Sequence, residues 1–240
     1  MSAQQQQEPV IPDFGTGSDC VVDNRLFCWD WVQDNWSGVL QPALVQHIEL
    51  SAIAVGIGLV IAFAAALAAY RLRALDHPIG LFSDFLYTIP SLALFQLLVP
   101  ITGLTVTTVE VALVSYTLLI LYRNILAGLR GVPAEVIEAA RGMGLTRAQT
   151  LRRIELPLAL PAIVAGLRIA TVSTISIATV AAFVIPQGLG RPIFVALGSN
   201  VFKTEIIAAG CLAIALALVA DAVLMLAQRA LTPWARQRHA

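Results

Sequence analysis

Charged residues are scarce in this sequence. They make up 12% of its 240 residues, whereas hydrophobic residues make up 58%, and a soluble domain carries roughly 25% charged residues. A water-exposed surface cannot be covered with so few charges, so the composition largely excludes a soluble enzyme or a soluble binding domain. The mean hydropathy of +0.80 agrees with this. We therefore predict a polytopic, all-α integral membrane protein.

Several kinds of functional residue are also missing. Lysine occurs once, at Lys203, and no G-x-x-x-x-G-K-[ST] motif surrounds it, so the chain cannot split ATP with a P-loop of its own. The three Cys and three His have no metal-ligand spacing, which predicts neither a metal nor a cofactor. No Ser/His/Asp set converges, so we do not expect an enzyme. The net charge of zero gives no support to nucleic-acid binding.

Long apolar runs take the place of these missing features. A spanning helix needs about 20 apolar residues, and five runs reach or approach that length. They are rich in Leu and Ala and lack the alternating pattern of an outer-membrane barrel. We predict spans at about residues 50–70, 85–104, 106–122, 158–185 and 206–227.

Arginine is concentrated in alternate loops. The loop after the first span holds two Arg, the long loop at residues 123–157 holds six, and the C-terminal end holds three. The other side of the membrane has only Arg25, Arg191 and Lys203. Because cytoplasmic loops carry the excess of Lys and Arg, we predict an extracytoplasmic N-terminus, a cytoplasmic C-terminus and five crossings.

The predicted membrane domain covers residues 46–230, with an extracytoplasmic tail at 1–45 and a cytoplasmic tail at 231–240. The start of the N-terminal tail is Gln-rich and lacks the features of a cleavable signal peptide. The Trp-rich segment from Cys20 to Trp36 fits a short helix on the outer leaflet, and it equally fits a packed extracellular cap. Cys20 and Cys28 lie on the oxidising side and could pair, but the sequence does not give their separation.

The loop at residues 123–157 contains the most specific pattern. Pro133 suits the first turn of a helix, and Gly142 and Gly144 suit its end, because Gly accepts a left-handed conformation. Thr146 and Gln149 form the T-x-x-Q pattern of a capping box, which starts a second short helix. We predict a compact helix–turn–helix whose small residues, Ala139 and Ala140, permit another protein to approach closely.

The residue spacing in this loop resembles the EAA loop of ABC importer permeases. Seven positions match: Glu138, Ala139 and Ala140, then Gly144, then Ile154, Leu156 and Pro157. The resemblance extends over nearly all of the membrane part. It implies the five-helix core of the type I importer (MetI-like) fold, with an N-out/C-in topology, in the bacterial cytoplasmic membrane.

Within this family, the sequence is most similar to permeases for glycine betaine, carnitine, choline or proline. The similar runs are YTIPSLALF at 87–95 and ELPLALP at 155–161. One run departs, because Ile185-Pro186-Gln187 replaces the Gly-rich run that these permeases have before Gly188. The resemblance implies a permease subunit of an ATP-driven osmoprotectant importer. The alternatives are a permease for polar amino acids and a stand-alone secondary transporter, although no midplane coupling carboxylates or repeated halves are visible.

The resemblance also implies partners. A pair of cytoplasmic ATP-binding subunits would hold the seven EAA residues, an extracytoplasmic solute-binding protein would deliver the solute, and a second permease chain, a copy or a paralogue, would complete the pore in the lipid membrane. Glu138 would make an ionic or hydrogen-bonding contact at that joint, or would serve only as a helix-end charge. Gly144 would supply the turn.

Candidate residues of the solute pathway lie in the second span. Pro90 and Ser91 predict either a backbone break that lines the pathway or a simple packing kink. Tyr87 and Phe95 are aromatic faces that could meet a quaternary ammonium group, or packed side chains.

Three ionisable residues fall inside predicted spans, where charges are costly. Arg168 lies about ten residues into the fourth span, where its side chain could reach towards the cytoplasm, and we favour structural pairing. Asp221, near the inner end of the fifth span, is either its partner or faces water. Glu110 is near the outer end of the third span, where we expect it to be solvated.

Overall fold

The computed structural model describes residues 19–199 and 201–233. Over these residues the chain is helical and contains no strand. The Gln-rich start of the predicted N-terminal tail and residues 234–240 of the predicted cytoplasmic tail lie outside the described residues. The helices are α1 (Asp19–Val22), α2 (Trp29–Asp34), α3 (Gln41–Arg71), α4 (Asp76–Thr88), α5 (Ser91–Thr102), α6 (Val106–Arg130), α7 (Ala134–Gly142), α8 (Arg147–Thr150), α9 (Leu156–Ala181), α10 (Gly190–Gly198) and α11 (Lys203–Leu231), with π-helical turns at Trp36–Leu40 and Leu151–Glu155 and a 3₁₀ turn at Arg73–Leu75.

Helices α3, α6 and α9 pack together at the centre of the fold. Two clusters of buried, mostly aliphatic side chains fill the space between them, one towards each end of the helices. The contact surfaces are rich in small residues, so the backbones approach closely. A Cβ atom placed on Gly58 of α3 would lie 1.9 Å from Oγ1 of Thr117 on α6. Small residues are favoured at such contacts because lipid supplies no hydrophobic driving force between helices.

Helix α3 begins at Gln41, well before the predicted start of the first span at residue 50. The early start includes His47, which is fully buried. Its Nε2 lies 3.0 Å from the carbonyl oxygen of Ile175, and its Nδ1 accepts a hydrogen bond from the N–H of Leu189 at 3.2 Å. Both ring nitrogens are therefore satisfied, which is how a polar side chain is accommodated inside this helix.

The predicted span at residues 85–104 is two helices in the structure. Helices α4 and α5 meet at an angle of 101°. Pro90 causes the break, because proline disfavours the helical conformation in the residue before it and Ile89 accordingly has extended backbone angles. The Tyr116 hydroxyl on α6 donates a hydrogen bond to the freed carbonyl of Ile89. The break is thus a fixed part of the fold.

The Trp-rich segment forms a packed cap over one end of the bundle. Cys20 and Cys28 are joined by a disulfide bond. Asn24 lies between them in the chain, and its side-chain amide donates to the carbonyl of Val201 and accepts from the N–H of Lys203, at 3.1 and 3.0 Å. The cap (residues 19–36) is therefore attached to the turn that precedes α11.

Aromatic packing strengthens this attachment. The Trp31 and Phe202 rings meet edge to face, with centroids 5.2 Å apart. The segment is thus packed on the bundle, as in one of the two interpretations, while its position at the membrane surface stays a prediction. Several of its apolar side chains, including Leu26 and Trp29, are nevertheless exposed.

Four of the described helical segments are long and apolar enough to cross a membrane, and the bent pair α4–α5 makes a fifth if it counts as one span. The all-helical membrane fold is confirmed, while five crossings and the N-out/C-in orientation stay predictions. Helix boundaries differ from those of the predicted spans. Helix α6 continues to Arg130, so the cytoplasmic loop predicted at 123–157 begins with helix, and α9 ends at Ala181 rather than residue 185.

Candidate functional site

The loop between α6 and α9 folds as the predicted helix–turn–helix. Helix α7 follows Pro133 and ends at Gly142. Gly144 has a φ angle of +83°, which L-residues with a Cβ rarely adopt. The capping box is present: the Thr146 N–H donates to Oε1 of Gln149 at 2.8 Å, and the Gln149 N–H donates to Oγ1 of Thr146 at 3.3 Å. Local chemistry in the sequence therefore determines the shape of this loop.

The seven predicted coupling residues fall into three environments. Glu138, Ala139 and Gly144 are exposed on the surface of the loop, and no atom lies within 4 Å of a Cβ built on Gly144. Ala140 is only 1% exposed and packs inward. Ala139 and Ala140 therefore face different ways, because helical periodicity turns adjacent residues to different faces. Their coupling role stays a prediction. Partly buried residues form the base of the loop: Ile154, Leu156 and Pro157.

Glu155 belongs to this site but was missed by the sequence reasoning. It lies between Ile154 and Leu156, and it is only 7% exposed. Its carboxylate interacts electrostatically with the Tyr70 hydroxyl at the end of α3. A charged residue inside the apolar run that leads into a span was the signal available in the sequence. Glu155 connects the base of the loop to α3.

A polar cavity of about 540 Å³ lies beside α7. Its wall includes the ion pair between Arg130 and Asp76, whose charged atoms are 2.7 Å apart. The Tyr122 hydroxyl donates to the same carboxylate at 2.8 Å. A second ion pair joins Arg123 of α6 to Asp84 of α4 at 2.7 Å. The two arginines are seven residues apart, so they share one face of α6 and hold α4 against it.

The four predicted pathway residues lie in different environments. Tyr87 is 44% exposed, and its ring meets that of Tyr116 edge to face, with centroids 5.9 Å apart. Pro90 is exposed at the break and Ser91 is partly buried at the start of α5. Phe95 is fully buried in the core. Tyr87, Pro90 and Ser91 thus lie together at the break, whereas Phe95 packs inside the bundle in this conformation.

Arg168 and Asp221 form a bidentate ion pair between α9 and α11. Nε and Nη2 of Arg168 donate to the two carboxylate oxygens of Asp221, each at 2.8 Å. The predicted structural pairing is present. Glu110 differs from its prediction: both of its carboxylate oxygens are buried, and neither has a hydrogen-bond partner among the described residues. It is not a solvated side chain, because the N-terminal part of α6 packs within the bundle.

The sequence matches the model of one protein family over residues 54–237. That family is described as "binding-protein-dependent transport system inner membrane component". The chain belongs to this family. It is therefore an inner-membrane permease component of an ABC transporter, and the membrane localisation predicted from composition is confirmed.

Characterised relatives in this family are similar over most of their length. The choline transport system permease protein OpuBB of Bacillus subtilis is 38% identical, over 84% of this chain and 92% of that protein. The glycine betaine/carnitine/choline transport system permease protein OpuCB of the same organism is 34% identical, over 78% and 86%. The osmoprotectant import permease protein OsmW of Salmonella typhimurium is 36% identical, over 85% and 96%.

Solved structures agree on the fold. Inward-facing MetNI, a methionine ABC transporter, has a chain that matches with a TM-score of 0.75 at 21% identity, over 83% of this chain and 99% of that chain. An amino acid ABC transporter crystallised with histidines matches with a TM-score of 0.68 at 19% identity, over 83% and 97%. The MetI-like permease fold is thereby confirmed.

Proposed function

We propose that this chain is the permease subunit of an ATP-driven importer for small osmoprotectants with a quaternary ammonium group, such as glycine betaine, choline or carnitine. The observation that carries this proposal is the set of solutes for which similar permeases are named. Three permeases at 34–38% identity, each matched over 86% or more of its own length, are named for these solutes or for osmoprotectants. A permease for polar amino acids has weaker support, since the amino acid transporters with this fold are only 19–21% identical.

The loop geometry supports a coupling role for the EAA residues. In the proposed complex, an ATP-binding subunit contacts the exposed face of α7 through Glu138 and Ala139. The inward-facing Ala140 and the base residues Ile154, Leu156 and Pro157 fix the loop to its own chain. Because the π-helical turn Leu151–Glu155 leads straight into α9, a displacement of the loop is passed to a membrane helix and not absorbed by a flexible connection.

ATP hydrolysis belongs to partner subunits in this proposal, since the chain carries no P-loop motif. A pair of ATP-binding subunits lies on the cytoplasmic side, where the positive-inside rule places the EAA loop. The solute-binding protein docks on the opposite side, which carries the cap. A second permease chain, a copy or a paralogue, completes the pathway. The spans then alternate between inward-facing and outward-facing states, with nucleotide binding as the bias.

Uptake measured with the partner subunits present tests the proposal. The permease, its ATP-binding subunit and its solute-binding protein are expressed in a host that lacks osmoprotectant transporters. We expect ATP-dependent, saturable uptake of labelled glycine betaine or choline, and none of a polar amino acid.

Replacement of Glu138 by Ala tests the coupling face, with Glu135→Ala, on the same short helix, as the matched control. Saturable amino acid uptake without betaine or choline uptake would assign the chain to the other substrate class.

Coupling and substrate class are separable in this assay. We expect Glu138→Ala to lower uptake and the recovery of the ATP-binding subunit with the purified permease, while Glu135→Ala leaves both near the parental level. Equal effects of the two substitutions would remove the assigned role of Glu138 without changing the substrate assignment.

A further inference from the structure

The ion pair between Arg168 and Asp221 joins two helices that are long and apolar enough to cross a membrane. Arg168 is halfway along the 26-residue helix α9, and Asp221 is well inside the 29-residue helix α11. Loop arginines that follow the positive-inside rule flank the ends of spans, so a mid-helix position sets Arg168 apart. Ionisable groups inside membrane helices are rare and are functional candidates, substrate pathways among their uses.

The pair is only partly covered by protein. The Arg168 and Asp221 side chains retain 29% and 35% of their accessible surface. They form part of the wall of an open cavity of about 510 Å³, together with Ser173 and apolar residues of α9 and α11. Charged groups exposed to hydrocarbon at mid-depth are strongly disfavoured. An open cavity that carries two charges fits a water-filled solute pathway better than a lipid-facing surface.

Arg168 has hydrogen-bonding capacity to spare. A guanidinium group carries five N–H donors, and Asp221 takes one from Nε and one from Nη2. The other donors have no acceptor within the part of the chain that the structure describes. Nη1 and the second hydrogen of Nη2 form a second edge of the guanidinium plane. This edge has the fork geometry that binds a carboxylate in a bidentate way, with one N–H donated to each oxygen.

We propose that Arg168 and Asp221 form a solute subsite in the pathway for zwitterions that carry a carboxylate and a quaternary ammonium group. This rests on the proposed function and adds where the solute binds. The ligand carboxylate accepts hydrogen bonds from the free edge of Arg168. The ammonium group, which has no N–H to donate, lies beside the Asp221 carboxylate and is attracted by its charge.

The arrangement suits passage better than tight binding. The ion pair stays formed when the ligand binds, because the solute uses an edge of Arg168 that Asp221 does not occupy. Each ligand charge meets one group of opposite sign, and the pair itself contributes no net charge. A cationic solute without a carboxylate, such as choline, can use only Asp221. The subsite therefore discriminates between zwitterions and simple cations.

A purely structural pair, which only holds α9 against α11, makes different predictions. It would not distinguish one solute from another, and an exchange of the two charges between the helices would restore it. The solute subsite depends on which helix presents the guanidinium edge to the cavity. Comparison of two solutes and a charge-exchanged variant therefore separates the two roles.

The test measures uptake of labelled glycine betaine and choline by the complete transporter. The double variant Arg168→Gln/Asp221→Asn removes the ion pair without leaving an unpaired charge. The single variant Arg168→Gln removes the guanidinium group that binds the carboxylate of the solute. We expect Arg168→Gln to lower betaine uptake roughly tenfold more than choline uptake, the factor that corresponds to one lost charge-assisted hydrogen bond. The double variant should lower uptake of both solutes.

The exchanged variant Arg168→Asp/Asp221→Arg completes the test. We expect it to restore the amount of assembled complex in the membrane, measured by recovery of the ATP-binding subunit, without restoring betaine uptake. Full restoration of betaine uptake, or an equal loss of both solutes in Arg168→Gln, would overturn the proposed subsite. Should the parental transporter move neither solute, the proposed function fails instead, so the two failures can be told apart.

Discussion

Gly144 offers the sharpest test of the cytoplasmic loop, because only its backbone conformation opposes a side chain there. Its φ angle is +83°, and a Cβ built on it meets no atom within 4 Å. A substitution therefore creates no clash and costs only conformational energy. That cost is about 1–2 kcal/mol for an ordinary L-residue in the left-handed region, and a β-branched residue is an outlier there. Gly144→Val should thus lower the ratio of correctly folded to misfolded loops by roughly 5- to 30-fold or more.

Gly142 provides the matched control. It also has no atom within 4 Å of a built Cβ, but it is the last residue of α7 and has no positive φ angle. Gly142→Val should be neutral or slightly stabilising, since Gly is a poor helix former. Gly144→Asn serves as a second control, because Asn tolerates the left-handed conformation. It should keep most of the activity that Gly144→Val loses.

Two readouts measure the effect in the complete transporter. Recovery of the ATP-binding subunit with the purified permease reports the coupling surface, and the initial rate of solute uptake reports its consequence. We expect both to fall in Gly144→Val, while total permease in the membrane stays constant because no span is altered. The reasoning fails if Gly144→Val behaves like Gly142→Val, or if Gly144→Asn is as damaging as Gly144→Val.

Three further predictions concern packing, topology and the cap. Gly58→Leu should destabilise the detergent-solubilised permease by more than about 1–3 kcal/mol, the usual cost of overpacking, because a Cβ there overlaps a side chain of α6 at 1.9 Å. A Cβ on Gly56 meets no atom within 4 Å, so Gly56→Leu is the control and should leave thermal aggregation unchanged. In a variant without the free cysteine of α11, an impermeant thiol reagent outside intact cells should label a cysteine introduced at Ser37 and should not label one introduced at Thr146. The reverse labelling pattern would invert the topology. Reduction of the cap disulfide, which closes a short loop with a sequence separation of 8, should remove about 2–3 kcal/mol of stability from the cap and speed its proteolysis, whereas unchanged proteolysis would mean that the contacts to the turn before α11 suffice.

Local signals in the sequence predicted the shape of the cytoplasmic loop well. The capping box of Thr146 and Gln149 and the positive φ angle at Gly144 depend on neighbouring residues alone, so their chemistry can be read from a short stretch. The bend at Pro90 is local for the same reason, although its angle of 101° is set by the helices around it. The hydropathy pattern here predicts one apolar run, because hydropathy contains no information about a change of direction within the run.

Features that depend on distant residues were harder to predict. The start of α3 was misplaced because His47 looks like the end of an apolar run, and only the backbone groups of Ile175 and Leu189 make it a buried helix residue. The burial of Glu110 and the inward direction of Ala140 likewise depend on which helix packs where. The cysteine pair was open because the bond requires a Cα separation, 5.8 Å here, that the sequence does not contain.

Helix α9 connects the two parts of the proposed mechanism. It starts directly after the π-helical turn at the base of the EAA loop and continues without a break to Ala181. Arg168 is twelve residues beyond Leu156, a distance of about 18 Å along the helix axis at 1.5 Å per residue. Its partner Asp221 lies on α11, which packs mainly against α9 and α10 and also contacts the cap helix α2. A force applied at the loop therefore moves Arg168 with α9, while Asp221 follows only through its contacts with that helix. In the proposed transporter, the ATP-driven motion then changes the spacing of the two charges that hold the solute, so coupling and solute release become consequences of one helix displacement.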